Sequence, residues 1–111
     1  MPFPDFITAF PSIDVPFSED VLTTAVVRSD AGLVVFFTFL KDMELPKHSH
    51  GAQWGTVVEG EIILTIGGDT KIYRAGDSYS ISAGVEHGAT IKAGTRAIDV
   101  FEEPDRYKIK D

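Results

Sequence analysis

The stretch Pro46-Lys47-His48-Ser49-His50-Gly51-Ala52-Gln53-Trp54-Gly55, taken with Gly84-Val85-Glu86-His87, decides how the whole chain is read. The chain has three histidines, and all of them fall in these two stretches. Side chains repeat every second residue along an extended strand, so His48 and His50 are expected to face one side and close on one ion. Gln53 stands an odd step from His50, which would send it to the opposite face of an unbroken strand. Gly51 and Ala52 are small and permissive, and a bend there brings the Gln53 amide oxygen back to the same side. His87 completes the set from another strand. The prediction is a metal site of His48, His50, Gln53 and His87, with Lys47 and Glu86 alternating away from the ion.

An HxH pair alone is common, and the surrounding spacing gives this one its weight. After the histidines comes Val57-Val58-Glu59-Gly60-Glu61, a strand ending in a glycine turn, and then Ile62-Ile63-Leu64-Thr65-Ile66. Further on, Gly76-Asp77-Ser78-Tyr79-Ser80-Ile81-Ser82-Ala83-Gly84-Val85-Glu86-His87 closes the pattern. From about residue 42 to 91 the chain resembles the two signature motifs of the cupin superfamily, with the spacings and all the histidines agreeing at once. Asp42 stands where the first motif has glycine, Ser82 where the second has proline, and Ile91 where it has asparagine. The gap between His50 and Gln53 is one residue shorter than the pattern, and Glu59 is the alternative carboxylate. The resemblance implies a double-stranded β-helix, the antiparallel jelly-roll barrel, with residues 1–111 forming one cupin domain.

Composition narrows the function classes. The chain has 111 residues, 43% hydrophobic and 24% charged, an ordinary globular make-up with material for one core. Its 17 acidic and 10 basic residues give a formal charge of −7, which argues against nucleic acid or an anionic membrane as partner. With no cysteine there is no disulfide framework and no thiolate metal site. Met1-Pro2-Phe3-Pro4-Asp5 lacks the basic start and apolar stretch of a leader, and the apolar block Leu33 to Leu40 is far too short to cross a bilayer. A cytoplasmic protein is expected.

Strand signals fill the remainder. Residues 1–20 carry four prolines together with Phe3, Phe6, Phe10 and Phe17, and are expected to form an N-terminal arm or edge strand on its own barrel or on a neighbouring subunit. Residues 21–28 are rich in β-branched types, and Ser29-Asp30-Ala31-Gly32 is a turn before a second strand, residues 33–40. That strand is apolar on both faces, with Leu33, Val35, Phe37 and Phe39 on one and Val34, Phe36 and Leu40 on the other. One face fits a barrel interior and the other a homodimer surface, although a two-sheet core would explain both. Glycines recur at turn positions roughly every ten residues without helical periodicity, the mark of an all-β sandwich or barrel.

Three imidazoles and an amide oxygen suit a divalent transition metal, Fe, Mn, Ni, Co or Zn, and disfavour Ca and Mg. Four protein ligands on an octahedral ion leave two positions for water or substrate. An amide in place of a carboxylate leaves the ion's charge unneutralised and favours an anionic oxygen ligand, a carboxylate or an enediol. In Asp99-Val100-Phe101-Glu102-Glu103-Pro104-Asp105-Arg106 the chain is similar to the pectin- and alginate-breakdown cupins that linearise unsaturated uronates. This resemblance implies Asp99 as general acid or base, Arg106 as a clamp on the substrate carboxylate and Phe101 as a pocket wall. Arg106 falls one residue later than the pattern. Trp54 and Tyr79 are candidates for the pocket mouth as substrate-binding aromatics, with burial in the sandwich the more ordinary role for each. The readings carried forward are a metal-dependent, non-redox enzyme acting on a small acidic sugar, a non-catalytic small-ligand cupin, and an Fe(II) dioxygenase.

Overall fold

The computed structural model describes residues 2–110. Among these, a one-turn helix α1 (Asp5–Thr8) precedes the strands β1 (Leu22–Ser29), β2 (Gly32–Phe39), β3 (Met43–His48), β4 (Gln53–Glu59), β5 (Glu61–Ile66), β6 (Asp69–Arg74), β7 (Ser78–Ile81), β8 (His87–Ile91) and β9 (Arg96–Phe101). They form two sheets, ordered β1-β2-β9-β4-β7 and β3-β8-β5-β6, every pairing antiparallel. This is the all-β jelly roll expected from the sequence.

The apolar alternation sets the layers. In β2, Leu33, Val35, Phe37 and Phe39 are buried while Val34, Phe36 and Thr38 are half-buried on the outer face. Ile62 and Leu64 of β5 and Ile91 of β8 meet them from the opposite sheet in the same core cluster. Each such side chain contributes about 1.5–3 kcal/mol on leaving water. Part of the outer face of β2 is covered from within the chain, where Phe3 sets its ring edge on Phe36 at a centroid distance of 5.5 Å. The hairpin between β5 and β6 turns at Gly67 and Gly68, both at positive φ (56° and 98°), a combination glycine adopts without strain.

The two terminal segments pair with each other. Ile13 bridges Ile109, Asp14 N donates to Lys108 O at 2.7 Å, and Lys110 N donates to Ser12 O at 2.8 Å. Arg28, on the edge strand β1, donates from Nε to Pro104 O (2.9 Å) and from Nη2 to Tyr107 O (3.3 Å). Residues 104–110 thus form a strap outside both sheets, held by Arg28 and by residues 12–14.

Candidate metal centre

Two of the three histidines are cross-strand partners: His48, the last residue of β3, pairs with His87, the first of β8. The register of β3 shifts between Leu45 and His48, where Pro46 interrupts the ladder. His50 stands beyond the end of β3, in the turn 49–52. The expectation that strand periodicity alone aligns His48 with His50 is therefore corrected, because the turn carries His50 inward. Ring centroids lie 4.3 Å (His48–His87), 4.8 Å (His50–His87) and 5.3 Å (His48–His50) apart. One ring nitrogen from each falls within 4.8 Å of the other two.

The backbone decides which nitrogen is offered. Nδ1 lies against a carbonyl oxygen in all three: Pro46 O at 2.9 Å for His48, Gly51 O at 2.8 Å for His50 and Val85 O at 3.0 Å for His87. A carbonyl only accepts, so Nδ1 carries the proton and Nε2 the lone pair. Nε2 of His50 and of His87 is buried without a hydrogen-bond partner. Burial also holds both imidazoles below the usual histidine pKa, which keeps them neutral. Buried lone pairs converging with nothing to bond, each ring fixed through its other nitrogen, fit a transition-metal ion.

The turn bearing His50 and leading to Gln53 is clasped by the end of β9. Glu103 Oε1 accepts from Gly51 N at 2.6 Å, Glu102 Oε2 accepts from Ala52 N at 2.5 Å, and Glu102 N donates to Ala52 O at 3.0 Å. A Cβ on Gly51 would press into both glutamates, to within 2.8 Å of Glu103 and 2.9 Å of Glu102. Gly51 has no positive φ, so close approach rather than backbone freedom explains this glycine. Nothing in the sequence pattern singled out Glu102 or Glu103, whose part becomes visible only when β9 lies beside β4.

Gln53 Nε2 donates to Asp99 Oδ1 at 2.9 Å, and Tyr79 donates its hydroxyl to the same oxygen at 2.7 Å. Burial pushes the Asp99 carboxyl up to about 6 against these two bonds, which pull the other way. Burial, reinforced by Asp99, likewise raises the Tyr79 phenol, so it stays a donor. His48, His50, His87, Gln53, Asp99 and Arg106 line one cavity of about 290 Å³, with Tyr79 and Phe101 also in its wall. The guanidinium of Arg106 lies 4.3 Å from the Tyr107 ring centroid and 5.8 Å from that of Phe101, and its Nε is buried without a partner. Among the described residues no carboxylate pairs with it.

Trp54 departs from its expected place. It is 46% exposed and absent from the cavity wall, because it follows Gln53 on the strand and so faces outward, where it pairs with Val100 and Ser80.

The cupin domain model matches residues 35–101, which include every histidine, Gln53, Asp99 and Phe101. The chain belongs to the cupin family. An RmlC-like cupin from Shewanella frigidimarina is 30% identical, with 88% of this chain and 86% of that one covered and a TM-score of 0.75. KdgF from a Halomonas species shares the fold at 23% identity and a TM-score of 0.71, covering 84% of this cupin and 87% of that chain. The HTH-type transcriptional regulator PuuR of Escherichia coli is 51% identical over 41 residues, 37% of this chain. That match spans 22% of the regulator's length.

Proposed function

We propose that this cupin binds a small carboxylate at a divalent transition-metal centre and moves a proton on it without redox change. One observation carries the proposal: the buried, unpartnered Nε2 atoms of His50 and His87 share a cavity with a buried carboxyl of raised proton affinity and an unpaired guanidinium. His48, His50, His87 and the Gln53 amide oxygen are the proposed ligands. When bound, the metal supplies Lewis acidity toward a substrate oxygen. Gln53 is oriented by its Nε2 bond to Asp99, which commits its nitrogen and leaves its oxygen free. Arg106 holds the substrate carboxylate, and Phe101 supports the guanidinium. Asp99, with a pKa near 6, takes a proton or gives one close to neutral pH.

The Asp99, Phe101 and Arg106 pattern favours an unsaturated uronate as the specific substrate. In its linearisation the anomeric hydroxyl loses a proton, the ring C–O bond at that carbon breaks, and the released enol takes up a proton at its carbon. No atom is gained or lost. The test incubates metal-loaded protein with unsaturated uronates and follows the enol-ether absorbance, and no rate above the spontaneous one refutes this substrate. The 41-residue match to a transcriptional regulator favours a second reading, a non-catalytic ligand-sensing module. Saturable binding of a carboxylate that is recovered unchanged decides for it.

A homodimer belongs to this proposal. Val27, Val34, Val100 and Trp54 are successive cross-strand partners on the outer face of the larger sheet, and Val27, Val100 and Trp54 are 40%, 38% and 46% exposed.

A further inference from the structure

The cavity has two chemically different ends. Across β3, β8 and β5 the strand register places His48, His87 and Ile66 in one row and Met43, Ile91 and Ile62 in another. His48 stands five positions after Met43 on β3, about 16 Å of extended chain. Every side chain in the cavity wall with a strong hydrogen-bonding group belongs to the centre described above or touches it: His48, His50, His87, Gln53, Asp99 and Arg106, with Tyr79 on Asp99 and Tyr107 under the Arg106 guanidinium. In the row away from the histidines the wall is Met43, Ile91 and Ile62, and Leu22, Phe37, Phe39 and Leu64 add apolar lining elsewhere in it. Val15 and Phe17, brought in by the N-terminal segment, add further apolar wall.

A polyhydroxylated body placed against this wall leaves its hydroxyls without partners. Each unpaired buried hydroxyl costs about 1–3 kcal/mol, so even one costs roughly fivefold or more in affinity. An alkyl or unsaturated body, by contrast, gains on burial. We infer that the site takes amphipathic acids, with the carboxylate head at the histidine end and a hydroxyl-poor, apolar body against the row of Met43, Ile91 and Ile62. This rests on the carboxylate recognition by Arg106 proposed above. Within the carboxylates of that proposal it favours acids with fewer hydroxyls than the unsaturated uronate, whose ring still carries three.

The decisive comparison is between 2-hydroxyhexanoate and gluconate. Both have six carbons and a 2-hydroxycarboxylate head, and they differ in the hydroxyls further along. Binding is measured by titration calorimetry on the cobalt(II)-loaded protein and on the metal-free protein. We expect 2-hydroxyhexanoate to bind roughly tenfold tighter or more in both forms, the cost of unpaired hydroxyls being independent of the metal. Val15→Thr, which keeps the volume and offers a hydroxyl, should narrow the preference several-fold. Equal affinities, a preference for gluconate, or no binding of either acid overturns the inference. If cobalt fails to bind but the preference holds in the metal-free protein, the metal centre falls and the amphipathic site stands. If cobalt binds and there is no preference, the amphipathic site alone falls.

Discussion

Tyr79 and Asp99 sit on strands that flank β4 on opposite sides, yet the tyrosine hydroxyl is 2.7 Å from the carboxylate because the residue between them in the row is Gly55. A Cβ on Gly55 would collide with both the Asp99 carboxylate and the Tyr79 ring. Gly55→Ala should therefore destabilise the metal-free protein by about 1–3 kcal/mol, the usual cost of overpacking. Urea unfolding measures it, and unchanged stability would show that the row has slack.

The Asp99 carboxyl gives a pH signature. Its ordinary value is 3.8 and its value in the fold is about 6. Between these limits the native protein keeps a proton that the unfolded chain has released, so stability falls as pH rises through the window and stays lower above it. The effect is about 3 kcal/mol. Unfolding free energies of metal-free wild type and Asp99→Asn, compared near pH 3.5 and pH 7.5, should show wild type losing about that much relative to the variant. A constant difference would mean that Asp99 titrates as if exposed.

Elemental analysis of protein purified without added metal should find about one transition-metal ion per chain, the occupancy a single ligand set allows. Replacement of His87 by Ala removes an inward-facing Nε2 and should abolish stoichiometric binding. Full metal content in that variant would place any ion elsewhere.

Glu102 and Glu103 act on the centre through the backbone of the turn 51–52. The double change Glu102→Ala and Glu103→Ala should weaken metal binding by about 10–100-fold, the range found when groups supporting metal ligands are removed. Amide exchange of Gly51 and Ala52 in the metal-free protein should accelerate in parallel. Unaltered exchange would refute the clasp whatever the metal does.

If the outer apolar row joins two copies, Trp54→Ser should shift light-scattering mass from dimer toward monomer at micromolar concentration. A monomeric wild type at that concentration would dispose of the dimer.

Fold class was readable because two periodic signals agree: alternating apolar residues in β2 and glycine turns such as Gly67-Gly68. The three histidines were readable because they are the only ones present and stand at motif spacing. The position of His50 in a turn was not, since strand periodicity cannot report where pairing stops. Trp54 was misplaced because its direction depends on the register at which β4 enters the sheet. Glu102 and Glu103 escaped notice because a pair of acids after a strand looks like solvated surface, and their donors lie 50 and 52 positions away. Tyr79 was assigned to the cavity, but its bond to Asp99 depends on Gly55, which no local pattern marks.

The strap held by Arg28 separates duties along the chain. The imidazoles are set by β3, β8 and the turn between β3 and β4, whereas Arg106 and Tyr107 ride on residues 104–110, outside both sheets. If Arg106 holds the carboxylate as proposed, grafting alternative strap sequences should change acid selectivity while leaving the imidazole cluster undisturbed. Conversely, on the function proposed above, damage at position 28, on the edge strand β1, would be felt at Arg106 before it was felt at the imidazoles.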